Sequence, residues 1–175
     1  MNDYRMTTND NRMTIGLVAA YGKIIPQAVL DAFAGHIYNL HPSLLPKYRG
    51  PSPLQQQILD GVTQTGITVI QIDALMDHGP IVAQEKDVIH PDDTTQTLGE
   101  RLFTKGADLV LSSQFSVLNQ TPTPQDHNQA TYTKKLTRQD GFVPWKEFQP
   151  EKLDRIFRAF FPWPGIWPKL RIMNH

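Results

Sequence analysis

Four prolines, at positions 42, 46, 51 and 53, fall within thirteen residues, H-P-S-L-L-P-K-Y-R-G-P-S-P. Each fixes its own φ, lacks a backbone N–H and pushes the preceding residue into extended geometry. Residues 41–53 are therefore a stiff loop, neither helix nor interior strand. The run H-I-Y-N-L just before it reads as a strand, so the loop hangs from a strand end. The surrounding sequence alternates in kind. I-G-L-V-A-A, from Ile15, is a short continuous apolar run, the pattern of a strand covered on both faces. P-Q-A-V-L-D-A-F-A-G is a helix with Pro26 at its first position and Gly35 just past its end. L-Q-Q-Q-I-L-D-G is a second helix, stopped by Gly61. G-I-T-V-I-Q-I and I-V-A-Q-E-K-D-V-I are strands, and P-D-D-T opens the longest helix, about Thr94 to Leu118, capped by Asp93 or Thr94. This rhythm predicts an α/β domain with a mostly parallel sheet over residues 15–118.

The two ends differ from this middle. Residues 1–14 are polar and without period, and read as a disordered or non-native arm. Residues 119–149, opening on T-P-T-P-Q-D-H-N-Q, read as a linker extended by its prolines. From Glu151 to Phe160, Leu153, Ile156, Phe157 and Phe160 recur at helical spacing and make one apolar stripe, with charges opposite. Packing is the plain reading of that stripe, and of Trp163 and Trp167 after it.

Composition excludes several functions. The sequence has 17 basic and 17 acidic residues, which argues against a protein whose main task is coating nucleic acid. With no cysteine there is no disulfide, thiolate nucleophile or Cys-based zinc site, which suits a reducing compartment. The apolar run from Ile15 to Tyr21 is far shorter than the ~20 residues of a spanning helix, so no membrane segment is expected and a cytoplasmic location follows by elimination.

Asn39 and His41 lie two apart on a strand, so their side chains share a face, and Pro42 keeps His41 extended. They stand at the carboxyl end of a buried strand, where open α/β sheets place ligands. The bland alternative is a strand end whose Asn and His only tie down the loop. Asp73, Asp77 and His78 occupy a later loop between strands, and in a parallel sheet Asp77 would return to the same edge as His41. A carboxylate beside an imidazole raises its pKa and fixes its tautomer, and an amide can donate to a developing oxyanion. No nucleophile stands with this trio, so it suits direct acyl transfer between two bound partners. A metal site from His41, Asp77 and His78 lacks dense ligand spacing, and no metal is expected. Lys47, Tyr48 and Arg49 can meet a phosphate or only solvate a loop.

N-L-H-P-S-L-L-P-K-Y-R-G, with V-A-A-Y-G-K-I-I-P before it and T-G-I-T-V and D-H-G-P-I-V after it, resembles the catalytic domain of folate-dependent formyltransferases. The tail, A-T-Y-T-K-K-L-T, V-P-W and L-D-R-I-F-R-A-F-F-P-W-P-G-I-W, is similar to members acting on methionyl initiator tRNA. The resemblance covers about Ile15 to Leu170. It implies a partial Rossmann-like formyltransferase domain at 15–118, with 150–175 as the start of a truncated C-terminal β-barrel domain. It implies 10-formyltetrahydrofolate as co-substrate and the amino group of methionyl initiator tRNA as acceptor in the complete protein. Asn39, His41 and Asp77 match the family's catalytic Asn, His and Asp: the first two stabilise the tetrahedral intermediate, and the third orients the His and helps move protons. Folate contacts are implied for Tyr21, Gly22, Lys23, Ile24 and Ile25, for Ser43, Leu44, Leu45 and Pro46, and for Asp73; simple packing is an equal alternative for Tyr21.

The departures from the family are a missing upstream half of the sheet and a missing barrel, so the chain is expected to be truncated at both ends. An open edge of this kind invites self-association or pairing with another chain. Two other readings stay open: a non-catalytic fragment that at most binds reduced folate or a partner chain, and a formyltransferase acting on a sugar amine or glycinamide ribonucleotide.

Overall fold

The computed structural model describes residues 15–22, 25–111, 121–144 and 149–169. The arm at 1–14 and the expected end of the long helix after Leu111 lie outside these residues, as do Lys23 and Ile24. The described chain runs β1 (Gly16–Ala19), α1 (Gln27–Ala32), β2 (Ile37–His41), α2 (Pro53–Asp60), β3 (Gln64–Gln71), β4 (Ile81–Val88), α3 (Thr95–Leu111) and α4 (Pro150–Phe160). Single-turn 3-10 helices sit at His127–Gln129 and Arg138–Gly141.

The four strands lie side by side in chain order. The expectation of a mostly parallel sheet does not hold for them. β1 and β2 are parallel, joined through α1, but β3 runs antiparallel to both β2 and β4. Two causes are visible. Residues 72–80 between β3 and β4 are too few for the crossover of a dozen or more that a parallel pair requires. Between β2 and β3, the proline loop carries the chain onward past His41, with Leu44 beside Gly66 and the Leu45 amide donating to Thr68 Oγ1. β3 is entered from that far end and must run back.

The core lies between one sheet face and helices α2, α3 and α4. Tyr38, Leu40, Ile67, Val69 and Val82 from the sheet meet Ile58, Leu98, Leu102, Ala159 and Phe160 from the helices. β3 is buried along almost its whole length because the proline loop covers its other face. α3 is started by Thr94, whose Oγ1 accepts from the Thr97 amide at 3.2 Å. Asp93 instead clasps Arg101, at 2.6 Å on one oxygen and 2.8 Å on the other. α4 folds back against α2 and α3: Ile156, Ala159 and Phe160 turn inward, the Ala159 carbonyl accepts from Thr95 Oγ1 at 2.6 Å, and Phe157 stays 47% exposed. No helix among the described residues is long and apolar enough to cross a membrane.

Candidate active site

Strand alternation puts Asn39 and His41 on one face of β2, and both reach Asp77. Asn39 Nδ2 donates to Asp77 Oδ1 at 3.3 Å, and His41 Nδ1 lies 3.5 Å from Asp77 Oδ2. Asp77 does not come there by the parallel return expected from the sequence. β3 ends beside the start of β2, and loop 72–80 doubles back over the sheet toward His41. Gly79 makes the reversal possible, because a Cβ there would collide with the Gln71 carbonyl. Asp77 Oδ2 also accepts from the Gly50 amide at 2.8 Å, and Gly50, at φ 109, has a backbone that only glycine holds without strain. Asp77 itself is left-handed at φ 51, and Tyr48 at φ 62. Left-handed non-glycine residues cost free energy and gather at functional sites.

Tyr48 explains the histidine's proton. Its carbonyl lies 2.9 Å from His41 Nε2, and a carbonyl can only accept, so Nε2 carries the hydrogen. The Nδ1 lone pair is then left on the Asp77 side. Burial pushes the His41 pKa down; Asp77 and the Tyr48 carbonyl pull it up and Arg49 pushes it down, with a net position below the ordinary value. The ring is neutral near pH 7 and can accept a proton at Nδ1, where a carboxylate stands ready to stabilise the charge.

These groups form the floor of a cavity of about 420 Å³. Its walls include Val18, Ile25, Ile70, Ile72, Leu75 and Met76, and Tyr21 and Asp73 stand at its side. Mostly apolar walls with a few convergent polar groups are the make-up of a small-molecule site. Of the residues expected to touch folate, Tyr21, Gly22, Ile25 and Asp73 line this cavity, and Lys23 and Ile24 lie outside the described residues.

Ser43, Leu44, Leu45 and Pro46 are not among its walls. Ser43 is fully buried and its hydroxyl donates to the Lys47 carbonyl, while its own carbonyl accepts from Thr68 Oγ1. Leu45 is buried against β3 and β4, and Leu44 faces a second hollow beside Lys47 and Tyr48. In this structure the segment builds the loop. No group of three or more metal-ligating side chains occurs among the described residues.

A layer of side chains behind Asp77 carries no local signal in the sequence. Arg49 is 1% exposed and makes no ion pair with a carboxylate among the described residues; its guanidinium donates twice to Gln125 Oε1 and once to His127 Nδ1. Gln125 Nε2 donates in turn to the carbonyls of Asp77 and Gly79, at 3.0 and 2.7 Å. The ring of His127 stacks on that of His78 at 4.1 Å, and His78 Nδ1 is 2.7 Å from Asp73 Oδ2. Nothing in the polar run around Gln125 marks it, because only tertiary contact buries it.

The chain resembles known proteins along most of its length. A family model described as "Formyl transferase" matches residues 7–113. A methionyl-tRNA formyltransferase from Roseiflexus sp. (strain RS-1) is 47% identical over 88% of this chain and 48% of its own length. The chain spans about half the length of the curated relatives it matches. In fold it is similar to a 4-N formyltransferase from Francisella tularensis, with a TM-score of 0.73, 18% identity, and coverage of 88% of this chain and 64% of that one. It is likewise similar to HypX from Aquifex aeolicus in complex with tetrahydrofolic acid, at a TM-score of 0.70, 19% identity, and coverage of 88% and 27%.

Proposed function

This chain belongs to the formyl transferase family, and we propose from that membership that its site moves a formyl group from 10-formyltetrahydrofolate to the amino group of methionyl initiator tRNA. The observation that carries the chemistry is the convergence of Asn39, His41 and Asp77 on one cavity floor. The similarity to the Roseiflexus enzyme carries the choice of acceptor.

The folate is the formyl donor, and the cavity fits it: apolar walls for a flat ring, with Tyr21, Gly22, Ile25 and Asp73 at its side. Asn39 has a second amide hydrogen, besides the one given to Asp77, for charge growing on the formyl oxygen. Neutral His41 takes the proton that the attacking amine must lose, at Nδ1, and Asp77 holds the resulting imidazolium. The same proton returns to the donor nitrogen as its bond to the formyl carbon breaks. Over the cycle one N–C bond forms, one breaks and one proton changes partners. Ser43, Leu44, Leu45 and Pro46 contribute by fixing the loop that presents His41.

A second reading has its own support. β1 is paired on one side only among the described residues and Leu17 is 49% exposed, which favours a chain that binds folate without turnover until further strands cover that edge. Tetrahydrofolate titration by calorimetry, with formyl transfer to methionyl-tRNA and to an amino sugar assayed on the same sample, separates these. The leading reading expects binding and transfer to the tRNA; binding alone selects the second, and preference for the amino sugar overturns the acceptor.

A further inference from the structure

The segment carrying Gln125 is bound to the site by two backbone bridges. Thr123 exchanges both backbone hydrogen bonds with Ile81, at 2.8 and 2.7 Å, next to the end of the Asp77 loop. Further on, the Arg49 amide donates to the Thr131 carbonyl at 2.9 Å, and the Thr133 amide donates to the Arg49 carbonyl at 2.7 Å. Between these bridges Gln125 is 5% exposed and all its amide capacity is directed: Oε1 toward Arg49, Nε2 toward two carbonyls of the Asp77 loop.

A buried guanidinium is costly unless its hydrogen bonds are made, and here they go to an amide oxygen and an imidazole nitrogen, with no carboxylate partner among the described residues. Two charge-assisted bonds draw electron density toward Gln125 Oε1. That polarises the amide and strengthens donation from Nε2 to the Asp77 and Gly79 carbonyls. Asp77 is held at a left-handed φ of 51, so its backbone needs an external hold of this kind.

We propose that Arg49 and Gln125 are positioning residues that act through Asp77: the Arg49–Gln125 relay sets the backbone from which the carboxylate meets His41, Asn39 and the Gly50 amide. The segment at 121–133 is thereby part of the site. This rests on the reading that Asp77 serves the reaction, and the test below does not depend on turnover.

The decisive variant is Gln125→Glu. It is nearly isosteric and keeps, even strengthens, the Arg49 contact, yet it sets a carboxylate oxygen against two carbonyls where an N–H had donated. Because the Gly50 amide donates to Asp77 Oδ2, its hydrogen exchange reports where that carboxylate lies. Exchange at pH 7 is followed by NMR in the wild-type chain, Gln125→Glu, Asp77→Asn and the double variant. Loss of one such bond is worth roughly tenfold in protection. The expected result is a roughly tenfold faster Gly50 exchange in Gln125→Glu, the same in Asp77→Asn, no further gain in the double variant, and unchanged protection at Val69 in β3. Wild-type Gly50 protection in Gln125→Glu overturns the proposal, as does acceleration spread evenly through β3, which marks a purely structural role. If instead the exchange pattern holds while folate binding and transfer are both absent, the functional reading of the site fails and the positioning relay stands.

Discussion

His41 spends one ring nitrogen on the Tyr48 carbonyl and turns the other to Asp77, so its proton chemistry runs through a single atom. On the proposed reaction, His41→Ala and Asp77→Ala should each lower kcat by roughly 10²–10³, with far smaller change in folate affinity, because such groups would act mainly on the transition state. Steady-state kinetics beside folate titration checks this; equal damage to binding would make them wall residues. The pH dependence has a definite sign. Burial leaves the folded His41 pKa below the ordinary 6.5. Its contribution to stability is then fully present above that pH and is lost as pH falls toward the folded value. Urea midpoints measured from pH 8 to 5 should fall on the acid side, and His41→Gln should flatten that slope. Since Asp77 raises the His41 pKa, Asp77→Asn should move the imidazole titration lower still, measurable by nitrogen-15 NMR.

α4 shows how far an element's fate can be read from its spacing. The stripe Leu153, Ile156, Phe157 and Phe160 marks an apolar face, and the structure turns part of it onto α2 and α3. Phe160, 5% exposed, should cost ~3–5 kcal/mol when changed to Ala. Phe157→Ala, at 47% exposure, should stay within about 0.5 kcal/mol. Denaturant unfolding of the two variants compares them directly. Elements of this sort were legible because period, proline and glycine are local signals. Asn39 and His41 were legible for the same reason: alternation and Pro42 fix their common face. The direction of β3 was not, since it depends on where the proline loop carries the chain, and that is decided by Leu44 and Leu45 covering β3. Arg49 and Gln125 were hidden too, because a buried polar pair looks like any surface pair until its partners, 76 residues apart, are brought together.

At the scale of the molecule, the sheet stops at β1 among the described residues, and Ile15 and Leu17 are exposed at 41% and 49% there. The purified chain should therefore sediment faster as its concentration rises, and Leu17→Lys should suppress that trend by charging the edge. Unchanged behaviour in the variant would place the contact elsewhere. Because β1 to β4 are neighbours in both sequence and space, each strand finds its partner soon after it is made, with little loop entropy to overcome. The bridge from Arg49 to Tyr132 is different, joining residues 83 apart. On a ribosome the four described strands can be paired while the clamp on Asp77 has no Gln125 to close it. A nascent chain released before Gln125 would carry every residue of the Asn39, His41 and Asp77 trio and still lack the part that holds them in place.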